Sequence, residues 1–551
     1  MLLVATCIVA TAACSGVPSD GAEERREIAQ RVEDVEGLRP VEPFTVLTKT
    51  AADDPRRFEE ARLIVEAWQA AGIPAELEAV DSAEVSERGF ANKEFDTYLI
   101  AYDPTLERLD PDDFLSRFWS GTAESDGSNL SGYRNDEYDE LYLGQLRAGT
   151  DEERMDFVRE AERLLSEEQP AAPYLRQTIG SAYNSGDWTG AVSALGNPVY
   201  HIWNSLQMRP TGDRRTLVVG VIAETQTLNP VTATTSEAAI TLSHIYDSLV
   251  RIGPEGEPVD WAASDVQVEG STVEVTLRDG MTFHDGRPVT GEDVAFTIDY
   301  LLENEAPLYA AKLDGVTSTS VEGDTVTIKL DSPSASFVPT ALATVPILPK
   351  HVWEGVDPAD FANDQPVGSG PFAFESRKLG ASLELQAFED HFQPPEADGI
   401  IWATFGSIDA EIGALQQGEI DILGDFLSVS QLDALKDADR VTVQEETSHG
   451  WNGVHFNMRR EPFNDLHFRR ALAALIPVDD IREIVLRGGG EPTSTVLAEQ
   501  LPWHDTELED LSRELEAATQ EMEEAGYVIG SDGTLYYPPE GEDNRALQPL
   551  P

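Results

Sequence analysis

The sequence is poor in lysine, in cysteine and in basic residues as a class. Of its 551 residues, 39 are Lys or Arg and 101 are Asp or Glu, which gives a formal net charge of −62 at pH 7. Only seven of the basic residues are lysines. Phosphate backbones and anionic lipid headgroups both attract clustered Lys and Arg. The shortage of basic residues therefore excludes nucleic acids and direct electrostatic docking to membranes as expected partners.

A folded chain with this excess of one charge repels itself in dilute solution. Concentrated salt screens the repulsion, because the Debye length falls to about 3 Å at 1 M. Abundant Asp and Glu with scarce Lys thus predict a halophilic protein, and an ordinary acidic secreted protein is the alternative. The hydrophobic content of 41% and the nine Trp residues argue against a disordered chain. At about 100–200 residues per domain, the length predicts two to four compact units.

Both cysteines lie in the first 14 residues, so the rest of the chain has no thiol for a disulfide or a metal. The opening run MLLVATCIVATAACSG is shorter than the ~20 apolar residues that span a bilayer, and it fits the apolar part of a signal peptide. Its end resembles a lipoprotein box, which implies cleavage before Cys14 and a diacylglyceryl group on the sulfur. We therefore predict a signal peptide over 1–13, a lipidated tether over 14–40, and anchoring on the extracellular face of the cytoplasmic membrane. An ordinary signal peptide with an incidental cysteine is the alternative.

From Phe44 onward, short apolar strands alternate with amphipathic helices, which indicates an α/β fold. FTVLTK and IPAELEAV are predicted strands, and PRRFEEARLIVEAWQAAGI and DEERMDFVREAERLLSEE are predicted helices. In the tether, Ile28, Val32 and Val35 have helical spacing, so a short solvated helix is expected there. Residues 208–215, MRPTGDRR, combine Pro, Gly and charge without an apolar period and are predicted to be a linker.

The sequence lacks the motifs of common enzymes. No Walker A loop, HExxH pair, G-x-S-x-G elbow or metal-spaced His/Cys cluster occurs. The nine His residues are scattered, and Gly368-Ser369-Gly370-Pro371 lacks the Lys of a phosphate loop. We therefore expect no enzymatic activity, no cofactor and no metal ion. A secreted hydrolase on a similar scaffold is the alternative.

An ordered set of short motifs begins at residue 246. It comprises YDSLV, Leu277-Arg278-Asp279-Gly280, Phe283-His284-Asp285-Gly286-Arg287-Pro288, Thr290, Asp293-Val294, then PVGSGPF (366–372), FNMRREPFNDLHFRRALAALIPVDDI (456–481) and AGYVIGSDGTL (525–535). In this order the motifs resemble solute-binding protein family 5 of the ABC importers, which includes dipeptide-, oligopeptide- and nickel-binding lipoproteins. The resemblance covers nearly everything from 216 to about 540.

The elements that end a member of this family come first in this chain. They are FTVLTK, the helix ending in Ala71-Gly72-Ile73, Phe95-Asp96, AYDPTLERLDPDDF, Asn129 with Gly132-Tyr133-Arg134-Asn135, the helix over 151–168, and Ala172-Pro173-Tyr174-Leu175. We therefore predict a circular permutation, in which the family's final part at 41–207 is joined through 208–215 to its initial part. A splice of two gene fragments is the alternative. Permutation is tolerated where termini lie close together at the surface, so Phe44 and Tyr537 should lie near each other in one lobe.

The resemblance implies a type II periplasmic-binding-protein fold, in which two α/β lobes close by a hinge on a ligand. Lobe II would comprise 41–170 plus 457–551. Lobe I would comprise 171–207 plus 216–456, with an extra β-rich subdomain near 253–365.

The same resemblance implies a function. A lipid-anchored extracellular substrate-binding protein, expected to be a monomer, would capture peptides or related small solutes and deliver them to the permease and ATPase subunits of an ABC importer. A sensor or chaperone-like lipoprotein without a transporter is one alternative. A binder of nickel, another metal chelate or a sugar on the same fold is another.

Candidate ligand-binding residues come from the family's loop between an aromatic residue and Asp-Pro. In peptide binders of the family an Asp there pairs with the ligand's α-amine, because a desolvated ammonium needs a charged partner. In this sequence the loop runs from Tyr102-Asp103-Pro104 to Asp110-Pro111 and is about two residues longer than usual. Asp103 and Asp110 therefore compete for the role, with Tyr102 beside them.

Three further positions complete the predicted ligand-binding set. Trp451 is expected to stack on the ligand or to lie in the core. Arg459 or Arg460 is expected to hold a ligand carboxylate or to form a surface ion pair. Glu224, in the loop after the first strand of the family pattern, is a weaker candidate.

Overall fold

The computed structural model describes residues 28–123, 128–196, 198–508, 511 and 513–538. Cys14 and the predicted signal peptide lie outside the described residues. The strands are β1 (Gln30–Val32), β2 (Phe44–Lys49), β3 (Ala75–Val80), β4 (Thr97–Ala101), β5 (Ala171–Arg176), β6 (Thr178–Asn184), β7 (Trp188–Thr189), β8 (Arg209–Pro210), β9 (Thr216–Val221), β10 (Val250–Ile252), β11 (Pro258–Asp260), β12 (Ala263–Glu269), β13 (Thr272–Leu277), β14 (Val316–Glu322), β15 (Thr325–Leu330), β16 (Phe372–Lys378), β17 (Ser382–Ala387), β18 (Gly399–Thr404), β19 (Ile422–Leu423), β20 (Val441–Thr447), β21 (Asn452–Phe456), β22 (Glu491–Pro492), β23 (Val528–Gly530) and β24 (Leu535–Tyr536).

The α-helices are α1 (Pro55–Ala70), α2 (Ser82–Val85), α3 (Pro111–Leu115), α4 (Asp136–Arg147), α5 (Asp151–Glu168), α6 (Ile202–Gln207), α7 (Ser236–Ile245), α8 (Gly291–Glu303), α9 (Lys350–Trp353), α10 (Ile408–Gln417), α11 (Val429–Lys436), α12 (Leu466–Ala474), α13 (Val478–Asp480) and α14 (Leu515–Ala525). Short 3-10 turns cover Leu106–Leu109, Ser116–Phe118, Ser120–Thr122 and Ala310–Leu313, and π-turns cover Ser86–Ala91, Phe337–Leu342 and Ile481–Val485. In the part of the chain that the structure describes, no helix has the length and apolar character needed to cross a membrane.

Two large mixed sheets organise the molecule. One has seven strands in the order β16-β17-β18-β9-β19-β6-β20, and β9 runs parallel to both β18 and β19. The other has six strands in the order β22-β5-β21-β4-β2-β3, and β2 runs parallel to β3 and β4. We call the part built on the seven-stranded sheet lobe I and the part built on the six-stranded sheet lobe II.

Helices cover both faces of the six-stranded sheet, so its central strands β5, β21 and β4 are almost entirely buried. Along β4, Leu99 faces the cluster that contains Trp68 of α1, whereas Tyr98 and Ile100 face the cluster that contains Val158 of α5. Trp68 is fully buried, and its indole Nε1 donates to the carbonyl oxygen of Leu472, 3.0 Å away, on α12. The alternation along β4 therefore assigns one face of the sheet to α1 and the other to α5.

A separate four-stranded antiparallel sheet, in the order β12-β13-β15-β14, packs against α8. Asp293 and Thr290 close a capping box at the start of that helix. This sheet occupies the region in which the sequence predicts a β-rich subdomain.

The chain passes between the two large sheets at two places within the described residues. Gln177 separates β5 of lobe II from β6 of lobe I, and residues 448–451 separate β20 of lobe I from β21 of lobe II. The sequence-based division had placed the boundaries at 170 and 456. The difference arises because β5 and β21 pair with each other and both extend the six-stranded sheet.

The segment after residue 27 differs from the expected solvated helix. Gln30–Val32 forms β1, which pairs in parallel with β23, and Ile28 is fully buried in the lobe II core. Pairing with a strand some 500 residues away in sequence overrides the local helical spacing. The tether predicted over 14–40 is therefore, from Ile28 onward, packed against lobe II.

Phe44 and Tyr537 share the same hydrophobic cluster of lobe II. The backbone N–H of Tyr537 donates to the carbonyl oxygen of Arg39 at 2.9 Å, and the Arg39 guanidinium lies 3.9 Å from the centre of the Tyr537 ring. The permutation prediction requires this proximity. The permutation itself stays a prediction.

Candidate functional site

A cavity of about 310 Å³ lies between the two lobes. Lobe II lines it with Arg56, Tyr102, Asp103, Pro104 and Asn452, lobe I with Thr178, Ile179, Ile408, Phe426, Leu427, Ser428 and Gln431, and the crossing segments with Gln177, Ser448 and Gly450. Small-molecule sites in proteins usually have about 300–1,000 Å³. The interlobe cavity therefore has the size of a small ligand site.

The cavity lies where parallel strands of both sheets end. Arg56, at the start of the helix after β2, and Asp103, in the loop after β4, line it from lobe II, and Phe426, in the loop after β19, lines it from lobe I. In open α/β sheets, ligands bind in the crevice outside the carboxyl ends of parallel strands. The topology alone therefore marks this edge as the candidate site.

Two opposite charges line the lobe II side of the cavity. The exposed carboxylate of Asp103 follows β4, and the exposed guanidinium of Arg56 lies in the first turn of α1. Asp54 caps that helix by accepting from the backbone N–H of Arg57 at 3.0 Å. The positive end of the helix dipole therefore adds to the charge of Arg56. The pair suits a ligand that carries both an ammonium and a carboxylate.

Tyr102 forms part of the cavity wall rather than a free ligand group. Its hydroxyl lies 3.1 Å from Nε2 of His455, and its ring centre lies 4.6 Å from that of Trp451. Burial raises the pKa of the Tyr102 hydroxyl, and burial lowers the pKa of His455 to about 3, so both groups are neutral at pH 7. Tyr102, His455 and Trp451 thus pack together next to Asp103.

Trp451 lies in the lobe II core. It is 1% exposed, packs against Phe114 as well as Tyr102, and does not line the interlobe cavity. Between the two uses that its sequence allows, the position favours the core.

The two competing aspartates have different surroundings. Asp110 accepts two hydrogen bonds from the guanidinium of Arg154, at 2.8 and 2.6 Å, and caps α3 through the backbone N–H of Asp112. Both members of the pair are nearly inaccessible to solvent, and neither lines the cavity. Of the two, only Asp103 lines it.

Arg459 and Arg460 lie away from the cavity. The guanidinium of Arg459 donates to the carbonyl oxygens of Ala123 and Leu130, at 2.6 and 2.9 Å, and so holds a loop of lobe II. Arg460 forms a half-exposed ion pair with Asp96 at 2.7 Å. Neither side chain lines the interlobe cavity, whereas Arg56 does.

Glu224 lines a different, smaller cavity inside lobe I. Its carboxylate accepts from the backbone N–H of Gly380 at 2.6 Å and from the side-chain amide of Gln226 at 3.1 Å. Glu224 thus joins two loops at the carboxyl edge of the seven-stranded sheet.

The crossing segments are held together by a buried arginine. Arg176, fully buried at the end of β5, donates to the carbonyl oxygens of His449 and Gly450 and to Oε2 of Glu499 at 2.8 Å. Burial lowers the pKa of its guanidinium, and Glu499 opposes that shift. The backbone N–H of Ser448 donates to the carbonyl oxygen of Gln177 at 2.8 Å. The two segments therefore form one hinge unit.

A chain of hydrogen bonds joins this hinge to the lobe II interior. Buried Glu60 accepts from the hydroxyl of Tyr174 at 2.6 Å and from Nδ2 of Asn452 at 3.0 Å. Oδ1 of Asn452 accepts from Nε2 of Gln177 at 2.9 Å, and Oε1 of Gln177 accepts from Arg56 at 3.4 Å. Burial raises the pKa of Glu60. The chain orients Arg56 and Asn452 at the cavity.

Arg56, Gln177, Asn452 and Phe426 were not predicted from the sequence. A signal for Arg56 exists, since it opens a helix directly after a parallel strand. The positions of the other three at the cavity depend on how the two lobes are joined and face each other. Local sequence patterns do not show how distant segments are arranged.

One group of possible metal ligands occurs in the described part of the chain. His467 of α12 lies beside Glu521 and Glu524 of α14, with Nδ1 of His467 2.6 Å from Oε2 of Glu521. Nδ1 of His467 also lies 4.0 Å from Oε2 of Glu524. These residues are not among those that line the interlobe cavity.

Comparison with known proteins gives a family and a fold. The model of the bacterial extracellular solute-binding proteins, family 5 (middle), matches residues 257–548. Protein XP55 of Streptomyces lividans is 29% identical over 340 residues, which cover 58% of this chain and 61% of that protein. Oligopeptide-binding protein AppA of Bacillus subtilis is 27% identical over 337 residues, with the same coverage. The chain thus spans about three fifths of the length of the curated relatives it matches.

A solved structure of a periplasmic oligopeptide-binding protein of an oligopeptide ABC transporter from Thermotoga maritima shares the fold. The TM-score is 0.50 at 22% identity, over 57% of this chain and 63% of that chain. The prediction of a two-lobed type II fold with α/β lobes is confirmed.

Proposed function

Since the chain belongs to the bacterial extracellular solute-binding proteins of family 5, we propose that it captures peptides or related small solutes between its lobes and presents them to the permease of an ABC importer. The observation that carries the proposal is the interlobe cavity of about 310 Å³, lined by the exposed carboxylate of Asp103 and the exposed guanidinium of Arg56. The family consists of solute-binding transport proteins, and we extend this to the absence of enzymatic activity in this chain.

The chemistry of the cavity supports a zwitterionic ligand. Asp103 would pair with an ammonium, and Arg56 with the first turn of α1 would pair with a carboxylate. Asn452, Ser428 and Gln431 would bind backbone amides between these ends. Phe426, which is 39% exposed, would cover an apolar side chain.

Closure would follow from the hinge. Two crossing segments tied by Arg176 permit the lobes to rotate as rigid bodies while the strands stay paired. Closure would bring Phe426 of lobe I towards Asp103 of lobe II and expel water from the ion pairs. We further propose that the protein is a monomer that works with permease and ATPase subunits. A lipid on Cys14 would hold it at the extracellular face of the cytoplasmic membrane.

Calorimetric titration with di- to hexapeptides in molar KCl tests the proposal. We expect binding by the wild-type protein and a loss of about tenfold or more in affinity for Asp103→Asn, because one charge-assisted pair is removed. Asp213→Asn makes the same charge change in the exposed 208–215 segment and should bind as wild type. If no peptide binds, the peptide assignment is wrong, and nickel, other metal chelates or sugars become the ligands to titrate.

A further inference from the structure

A second cavity, of about 120 Å³, lies entirely within lobe I. It opens at the carboxyl ends of β9, β18 and β19, beside the first turn of α7. Tyr200, Leu383 and Trp402 form its apolar walls, and Thr225, Thr241 and Thr404 contribute hydroxyl groups. It is therefore a built pocket with both apolar and polar walls.

Acidic groups dominate the charge of this pocket. Glu224, Glu237 and Asp425 line it, against a single basic residue, Arg377. One guanidinium nitrogen of Arg377 donates to the carbonyl oxygens of Thr225 and Gln226, at 2.8 and 2.7 Å. Those bonds hold the Arg377 guanidinium on the loop backbone. Within the described part of the chain, neither Asp425 nor Glu237 forms an ion pair.

Glu411 does not itself line the pocket, but it lies beside Asp425, which does. Glu411 is fully buried, and neither oxygen of its carboxyl group accepts a hydrogen bond from the described residues. A Cβ atom on Gly220, at the end of β9, would lie 3.5 Å from the Glu411 carboxyl carbon, so the group sits directly under the pocket edge. Burial and the neighbouring Asp425 raise the pKa of Glu411 to about 8. A side-chain hydrogen bond with Asp425 contributes to this shift, so at pH 7 the protonated Glu411 has Asp425 as its acceptor. A cation in the pocket would offset the charge of Asp425 and favour the ionised form of Glu411.

The pocket adjoins the interlobe cavity. Asp425 lines the pocket, and the next residue, Phe426, lines the interlobe cavity. Backbone bonds from Gly424 to Gly220 and from Leu427 to Gly180, at 2.8 and 2.9 Å, hold the loop between them. One loop therefore contributes to both cavities, and a ligand that contacts Phe426 would lie next to the residue that lines the acidic pocket.

We propose that the pocket binds the ammonium or guanidinium of a ligand side chain, with Asp425 and Glu411 selecting lysine- or arginine-bearing ligands. The inference rests on the proposed function, because the ligand's main body is held in the interlobe cavity. The volume accommodates one cationic head and part of its stem, and the faces of Tyr200 and Trp402 would pack against that stem. Binding would transfer the Glu411 proton to solvent, since a charged carboxylate beside a cation is favoured.

Matched peptide pairs test the assignment by calorimetric titration in molar KCl. Each pair differs only in carrying lysine or its neutral analogue norleucine, or arginine or its neutral analogue citrulline, at one position. We expect about tenfold or tighter binding of the cationic member at one position of the peptide. Asp425→Asn with Glu411→Gln should abolish that preference while leaving the affinity for the neutral member unchanged.

Glu419→Gln is the matched control. It removes an acidic side chain from an exposed position just after the C-terminal end of α10, whereas Glu411 lies near the N-terminal end of that helix. This variant should keep the preference for the cationic peptide. Urea unfolding of each variant verifies that it is folded. Equal binding of both members by the wild type, or a preference that survives in the double variant, overturns the inference and leaves the proposed function intact. Failure of every peptide to bind overturns both.

Discussion

Removing the charge of Asp110 should lower the free energy of unfolding of the protein. The same change at Asp103, in the same loop, should have little effect on stability. Asp110 receives two short hydrogen bonds from Arg154, and the two side chains are 5% and 3% exposed. Removing one member of a buried ion pair leaves the other charge uncompensated, which costs about 3–5 kcal/mol. We expect Asp110→Asn to lower the free energy of unfolding by that amount.

Urea unfolding at constant KCl, followed by tryptophan fluorescence, measures this difference. Urea is uncharged, so the screening of the −62 net charge stays constant along the titration. Asp103 is exposed, so Asp103→Asn should change the free energy of unfolding by less than about 0.5 kcal/mol. The same variant should lose peptide affinity.

A double variant separates loss of the pair from loss of packing. Replacing both Asp110 and Arg154 by apolar residues of similar volume removes both charges together, which is often close to neutral for buried pairs. A methionine at 154 retains most of the stem that packs on Trp503, whose ring centre lies 4.8 Å from the guanidinium carbon. If Asp110→Asn unfolds at the wild-type urea concentration, the assignment of Asp110 to a structural pair is wrong.

Four further outcomes follow from charge and topology. The pKa of Glu411 is raised to about 8 from 4.5, so between these pH values the folded protein keeps a proton that the unfolded chain loses. The free energy of unfolding should therefore fall as pH rises from about 4.5 to 8. Glu411→Gln should flatten this pH dependence by up to about 1.4 kcal/mol per pH unit. The pKa of His455 is lowered to about 3 from 6.5, so stability should fall as pH drops from about 6.5 to 3, and His455→Gln should reduce that slope similarly. If the chain is halophilic, its urea midpoint should rise between about 0.1 and 1 M KCl, and a salt-independent midpoint would contradict this. A chain opened within 208–215 and joined from 538 to 28 by a short linker keeps β1 and Ile28 in place. It should fold and bind the same ligands, as far-UV circular dichroism and calorimetry would record, and loss of folding would contradict the permutation.

The sequence predicts more of the fold than of the site. Strand and helix periods, together with ordered motifs, predict two α/β lobes, and the resemblance points to the loop that contains Asp103. It does not separate Asp103 from Asp110, because that distinction depends on Arg154, 44 residues away along the chain. Arg56 was missed because an arginine in the first turn of a helix resembles any solvated surface residue.

The misplaced boundaries have a shared physical cause. A strand that crosses between lobes has the same composition as one that stays within a lobe, since burial on both faces removes the alternation. Strands β5 and β21 are buried at every position, so the sequence holds no sign of which sheet they join. Likewise, β1 has three residues and takes its conformation from β23 rather than from its own pattern.

The predicted permutation is compatible with the candidate site because neither junction falls within the two segments that cross between the lobes. The 208–215 segment leads into the amino-terminal end of β9, a central strand of the seven-stranded sheet. The interlobe cavity lies at the opposite, carboxyl-terminal end of the parallel strands. The segments around Arg39 and Tyr537 pair on lobe II, and none of their residues lines the interlobe cavity. Both predicted junctions thus lie within single lobes, whereas Gln177 and 448–451, which join the lobes, remain continuous. A chain rearranged at these two junctions would close on its ligand by the same two crossing segments.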